Sequence, residues 1–149
     1  MMAVNESEIR IRPMVQDDID AVFEIDKRIS SVERSFTYSD LIEGYIGGQI
    51  GCSIVAEEND QLVGFVLAAI NYIPEQIEEA CLIKAIGIDP DHRRQGIASQ
   101  LIKELVNSSR SKGVHMVRIL IDQHDNELQG LFESLDFRRG RLIDYSMNL

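Results

Sequence analysis

Three side chains that carry or can take up positive charge, His92, Arg93 and Arg94, stand just ahead of Gly96. A stretch with helical spacing begins directly after that glycine. Ile97, Leu101 and Leu105 repeat every four residues, with Ala98, Ile102 and Val106 beside them. No Ser, Thr, Asp or Asn occupies the place where a helix N-cap would sit. A helix begun in this way has about four backbone N–H groups without partners. With the positive end of the helix dipole they form a place for an anion. Gly96 lets a bulky group approach the backbone, and the arginines can add charge-assisted bonds. The chemistry on offer is the binding of a phosphate or pyrophosphate. A solvated basic turn ahead of an ordinary helix is the competing reading.

Other polar groups are weaker candidates. Asp122 and His124 follow the largely apolar stretch 114–121 and could reach a cleft beside it. Tyr72 and Tyr145 carry hydroxyls that can act as proton donors, although rim packing is the plainer role for each. Lys84 stands inside an apolar run and would be costly there if buried without a partner. With strict alternation, and no bulge, it shares a strand face with Ile86 and Ile88. Cys52 and Cys81 are far apart, in no metal-binding spacing, and read as two reduced thiols in a core. No metal is expected.

The elements that must hold these groups alternate along the chain. Residues 8–12 read as a strand ended by Pro13, 16–29 as an amphipathic helix, and 38–46 as a short helix stopped by Gly47-Gly48. Residues 52–57 and 62–72 flank Glu58-Asn59-Asp60-Gln61 and read as a hairpin. A strand over 79–88 stops at Pro90, and the helix over 96–111 ends at Lys112-Gly113. Residues 114–121 read as a strand, 126–135 as a helix, and 137–149 as one or two closing strands. The 149 residues fit one domain, 1–149, of mixed α/β type. A net charge of −10 argues against a general nucleic-acid or polyanionic-membrane binder. No apolar run approaches the ~18 residues of a membrane span. The opening MMAVNESEIR lacks the apolar stretch of a signal peptide, so a cytoplasmic location is the expectation.

Four segments together carry a more specific signal. Arg93-Arg94-Gln95-Gly96-Ile97-Ala98 resembles the Arg/Gln-x-x-Gly-x-Gly/Ala signature of the GNAT superfamily of N-acetyltransferases. Ile86-Gly87-Ile88-Asp89-Pro90 is similar to the end of that family's fourth strand. Leu131-Phe132-Glu133-Ser134-Leu135-Asp136-Phe137 resembles its Leu-Tyr-Glu-x-Leu-Gly-Phe segment, and Ile11-Arg12-Pro13 with Asp17-Asp18-Ile19 its opening strand and helix. The resemblance implies a mixed, largely antiparallel sheet of six to seven strands, flanked by helices on both faces and splayed between strands four and five. Acetyl-CoA lies in the splay of such a fold.

The resemblance also implies roles. The pyrophosphate would lie on the backbone N–H groups of Arg94, Gln95, Gly96, Ile97, Ala98 and Ser99, with side-chain help from Arg93 and Arg94. The pantetheine arm would pair with Ile86, Gly87 and Ile88. Asp125, Asn126 and Phe132 fall where the family has further cofactor contacts. The usual acid and base positions are occupied by Leu82, Lys84, Leu120 and Phe132, none of them a carboxylate or tyrosine. Asp122, His124 and Tyr145 therefore stand as catalytic candidates, and Lys84 as a substrate-binding one. The implied function is an acetyl-CoA-dependent N-acetyltransferase acting by direct attack in a ternary complex. The acceptor is a primary amine on a small molecule or protein N-terminus. A catalytically weak acyl-CoA-binding or sensing domain is the alternative. The expected partners are the amine-bearing acceptor and, as a further candidate, a second copy in a homodimer, with no nucleic acid and no membrane.

Overall fold

A computed structural model describes residues 8–30, 45–46, 51–73 and 78–149. The order of elements is β1 (Arg10–Pro13), a 3₁₀ turn (Gln16–Asp18), α1 (Ile19–Ser30), β2 (Ile54–Glu58), β3 (Gln61–Ile73), β4 (Glu78–Ile88), a second 3₁₀ turn (Pro90–His92), α2 (Ile97–Ser111), β5 (Val117–Ile119) and α3 (Asn126–Ser134). The expected short helix over 38–46 lies almost wholly outside the described residues.

The β2–β3 hairpin turns on Asn59 and Asp60, both with positive φ (52° and 62°). That is the backbone a two-residue hairpin turn demands, and Asn and Asp tolerate it. The described strands form one sheet in the order β1-β2-β3-β4-β5. The first three pairings are antiparallel and β4–β5 is parallel. Among the described residues there are five strands, against an expected six to seven. Residues 137–149, expected to give one or two closing strands, form none.

Each face of the sheet carries its own core. Val22 and Ile25 of α1 pack with Met14, Val55, Phe65 and Leu67. Ile97, Leu101, Ile102 and Leu105 of α2 pack on the other face with Ile54, Ala56, Val66, Ala68, Cys81 and Ile83. Cys52 and Cys81 are both free and buried, their sulfurs 3.1 Å apart. The contact with Cys81, then burial, pushes the Cys52 thiol up.

A buried carboxylate fixes the entry to α1. Asp18 accepts two bonds from the Arg12 guanidinium, each 2.8 Å, and a third from the Val15 N–H at 2.8 Å. The bonds from Arg12 hold its carboxyl below the usual carboxylate range, against the opposing effect of burial. A group with a depressed folded-state pKa adds stability above its unfolded pKa and loses it as pH falls through the folded value. Asp18→Asn should therefore cost about 2 kcal/mol at pH 7, a fall in Tm of roughly 4–8 °C. The gap to wild type should narrow below about pH 4. Thermal melts of both proteins from pH 7 to 3 check this, and a gap that widens in acid would refute it.

Candidate functional site

The site begins where β4 and β5 part. β5 pairs with β4 only at Cys81, Leu82 and Ile83. On its other side β4 stays paired with β3 to the end, with Val66 opposite Ile86, Phe65 opposite Gly87 and Gly64 opposite Ile88. Between these two stretches the register shifts. Ile83 faces Ala68 and Ala85 faces Leu67, so Lys84 is an extra residue, a β-bulge. A bulge bends its strand and ends pairing on the far side. Among the described residues no strand thus lies beside Ala85 to Ile88 on the β5 side, and a ligand can use that edge.

The bulge also changes which side chains share a face. Ile83 and then Ile86 and Ile88 pack toward α2, whereas Ala85 packs toward α1. The alternation that would set Lys84 beside Ile86 and Ile88 is broken at Lys84 itself. Its side chain is exposed, so a role for it in binding an acceptor rests on that exposure and its charge, not on strand alternation.

The loop after β4 is held from two sides. Asp89, buried, takes the Asp91 N–H at 3.0 Å and the Arg28 guanidinium at 3.0 Å, while Arg28 also reaches Asp91 at 2.9 Å. Two hydrogen bonds thus tie α1 to the loop across 61 and 63 residues of sequence. The following backbone is unusual. Arg94 has φ +63° and Gly96 φ +76°, both left-handed. A non-glycine residue held in that region costs about 1 kcal/mol or more and marks a constrained loop. Alternating conformations of this kind turn successive N–H groups toward a common concavity suited to an anion.

Gly96 is the N-cap of the 15-residue α2, and no side chain caps it. A Cβ built on Gly96 meets nothing within 4 Å, so the space over the helix end is open. Ile97 beneath is only 2 % exposed. It is drawn in by Gly64 of β3, where a Cβ would come within 2.9 Å of Ile88, 3.2 Å of Leu101 and 3.3 Å of Ile97. The absence of a side chain at Gly64 is what seats the helix N-terminus against the strand end. Arg93, Arg94 and Gln95 are exposed above it, and Ala98 and Ser99 are half-buried in the first turn. The structure therefore brings the Gly96 loop and the edge at Ile86, Gly87 and Ile88 to the same end of the sheet. Gly64 and Arg28, which support that arrangement, were not evident in the sequence. Gly64 sits in an ordinary-looking strand, and Arg28 acts at long range.

The catalytic candidates are less well gathered. Asp122 accepts the His124 N–H at 2.7 Å and so shapes its own turn. Asp125 caps α3 by accepting the Leu128 N–H at 3.0 Å, with Asn126 as the first helical residue. Asp122, His124, Asp125 and Asn126 are all exposed. Phe132 is 2 % exposed and packs edge-on to Phe137, ring centres 4.9 Å apart. Tyr145 is 92 % exposed on the segment that follows. Among the described residues, no cluster of three or more His, Cys, Asp or Glu side chains is arranged to hold a metal ion. No described helix is long and apolar enough to cross a membrane.

The chain is 34 % identical over 82 residues to L-2,4-diaminobutyric acid acetyltransferase of Halalkalibacterium halodurans, covering 55 % of this chain and 42 % of that protein. It is 27 % identical over 128 residues to the enzyme of that name from Marinococcus halophilus, covering 86 % and 70 %. The first of these matches thus spans less than half of the relative's length. Its fold matches that of the aminoglycoside N-acetyltransferase AAC(6')-Iy in complex with CoA, with a TM-score of 0.82 at 19 % identity over 99 % of this chain and 100 % of that one. Residues 19–137 match the model of the Acetyltransferase (GNAT) family, and the chain belongs to that family.

Proposed function

We propose that this chain is an acetyl-CoA-dependent N-acetyltransferase acting on a primary amine of a small molecule or protein N-terminus. The observation that carries it is the uncapped, left-handed Gly96 turn beside the end of β4, which β5 leaves after Ile83. The residues fit coenzyme A: N–H groups from Arg94 to Ser99 for the pyrophosphate, Arg93 and Arg94 for added charge, and the Ile86–Ile88 edge for the amide groups of pantetheine. Acetyl-CoA supplies the thioester to be attacked.

The chain contributes mainly positioning. The β4 edge holds the thioester fixed, and a backbone N–H near Ile88 donates to its oxygen as negative charge develops there. The amine lone pair forms the C–N bond, the C–S bond breaks, the nitrogen gives up a proton, and the leaving thiolate takes one up. Asp122 and His124 are the candidates for moving that proton, by direct contact or through water. The relatives acetylate diaminobutyrate and aminoglycosides by name, and both classes offer primary amines.

The buried Phe132 favours a second reading. A phenyl ring in the core donates no proton, so a CoA-binding domain with little turnover is the alternative. Calorimetry with CoA and release of free thiol from acetyl-CoA, over a panel of diamino acids, aminoglycosides and peptide N-termini, separate the two. Amine-dependent thiol release is the expected result. Binding with no release from any amine leaves the second reading, and absence of CoA binding refutes both.

A further inference from the structure

We infer that Lys84 and Arg118 form a cationic pair that selects an acceptor carrying a carboxylate as well as its amine. The substrate class is then a small diamino acid rather than a polyamine or an aminoglycoside. This rests on the acetyltransferase reading above and names the acceptor for the same site. Register places the two cations. β5 runs parallel to β4, with Arg118 opposite Leu82 and Ile119 opposite Ile83. Ile83, Val117, Ile119 and Ile121 pack into the core on the α2 side. Side chains alternate along a strand, so Leu82, Arg118 and Leu120 face the α1 side of the sheet. Lys84 follows Ile83 and takes that same face, one diagonal step from Arg118. Ala85, the next residue, packs toward α1 as well, so the bulge turns two successive side chains the same way.

Both groups stand where the strands part. Pairing ends at Ile83 and Ile119. Had it run on, Leu120 would lie against Lys84; instead it is 83 % exposed. The mouth of the wedge thus combines two apolar side chains, Leu82 and Leu120, with two positive ones. That suits a ligand with a short hydrocarbon body and an anionic end. Lys84 is exposed and makes no hydrogen bond or ion pair among the described residues. Arg118 is half-buried, with Nη2 3.7 Å from the Met116 sulfur. Sulfur is a weak acceptor, and a guanidinium has five N–H donors in a fork that matches a carboxylate. Lys84 adds a point charge on a flexible four-carbon stem.

Reach sets the acceptor's size. The edge assigned to the thioester, Ile86–Ile88, lies two to four residues beyond Lys84, about 7–13 Å along the strand. The lysine stem spans part of that distance, and a few methylenes of the acceptor span the rest. A diamino acid has that length, with its distal amine at the thioester and its carboxylate back at the pair. A polyamine or an aminoglycoside brings further positive charge against the pair, and like charges so placed select against it. On a chain whose net charge is −10, two cations together at one mouth are a local exception.

Matched acceptors test this, because the members of each pair differ by the carboxylate alone. Thiol release from acetyl-CoA is measured with 2,4-diaminobutyrate against 1,3-diaminopropane, and with ornithine against putrescine. The acids should be favoured at least about tenfold in kcat/KM. Lys84→Met should cut that preference about tenfold, through KM more than kcat. The diamines should be used no less well by this variant, and its CoA affinity by calorimetry should match wild type. Arg118→Met should act in the same direction, and Arg118→Lys, which keeps the charge without the fork, should recover part of the loss. Phosphoethanolamine against ethanolamine controls for the anion, and a larger preference there would overturn the carboxylate assignment. Diamines used as well as their acids, or a preference that survives in Lys84→Met, would overturn the inference and leave the acetyltransferase reading standing. No release with any amine, from a protein that binds CoA, would remove both.

Discussion

Gly96→Glu is expected to weaken coenzyme A binding by more than about a hundredfold. Two causes act together. A left-handed φ of +76° costs any side chain about 1–2 kcal/mol. The larger cause is charge. The space above Gly96 is open, so the new carboxylate can extend into the place assigned to the pyrophosphate. Like charges about 4 Å apart near a protein surface repel by about 4 kcal/mol, and about 2.7 kcal/mol is already a hundredfold in Kd. Gly96→Ala bears the backbone cost without the charge and should lose far less. Isothermal calorimetry on the three proteins decides the matter. Unchanged affinity in the glutamate variant would move the pyrophosphate away from this helix end.

Gly87→Ala should be the most damaging one-carbon change in the sheet. A Cβ there would lie 2.5 Å and 2.8 Å from two ring carbons of Phe65 and 3.0 Å from the end of Ile29. Phe65 is 1 % exposed and packed between the sheet and α1, so its ring has nowhere to go. Overpacking of this kind costs about 3 kcal/mol, which for a domain of this size is a fall in Tm of about 6–12 °C. Phe65→Leu added to Gly87→Ala should recover part of the loss, although Phe65→Leu alone destabilises. Thermal melts of the two single variants and the double variant give the coupling directly. Additive losses would show that the ring and the glycine do not meet.

The sequence made some of this legible and hid the rest for physical reasons. The hairpin at Asn59-Asp60 was plain, because its turn chemistry is local and its flanks are apolar. So was α2, whose buried residues recur at helical spacing through Leu105. Local pattern fails where a partner decides. Residues 114–121 are apolar except at His115 and Arg118, yet only Val117–Ile119 pair, since β4 bends away beyond Ile83. Residues 143–149 alternate as a strand should, but alternation states only that one face wants burial. The family resemblance pointed to Gly96, where the structure has an uncapped helix start with a left-handed backbone. It could not show that Arg94 adopts a left-handed backbone, that Asp125 is spent on capping α3, or that Arg28 holds the loop from α1.

The extra residue in β4 has a consequence for how this chain tolerates gain and loss of length. Removing one residue from the interior of a regular strand reverses the facing of every residue beyond it. At Lys84 the effect is the opposite. With that residue gone, Ile83 still points to α2, Ala85 to α1 and Ile86 to α2, and both cores keep their members. What changes is the strand's path: a straightened β4 can run on beside β5 and close the wedge between them. A shortened chain would therefore retain its fold while giving up its ligand.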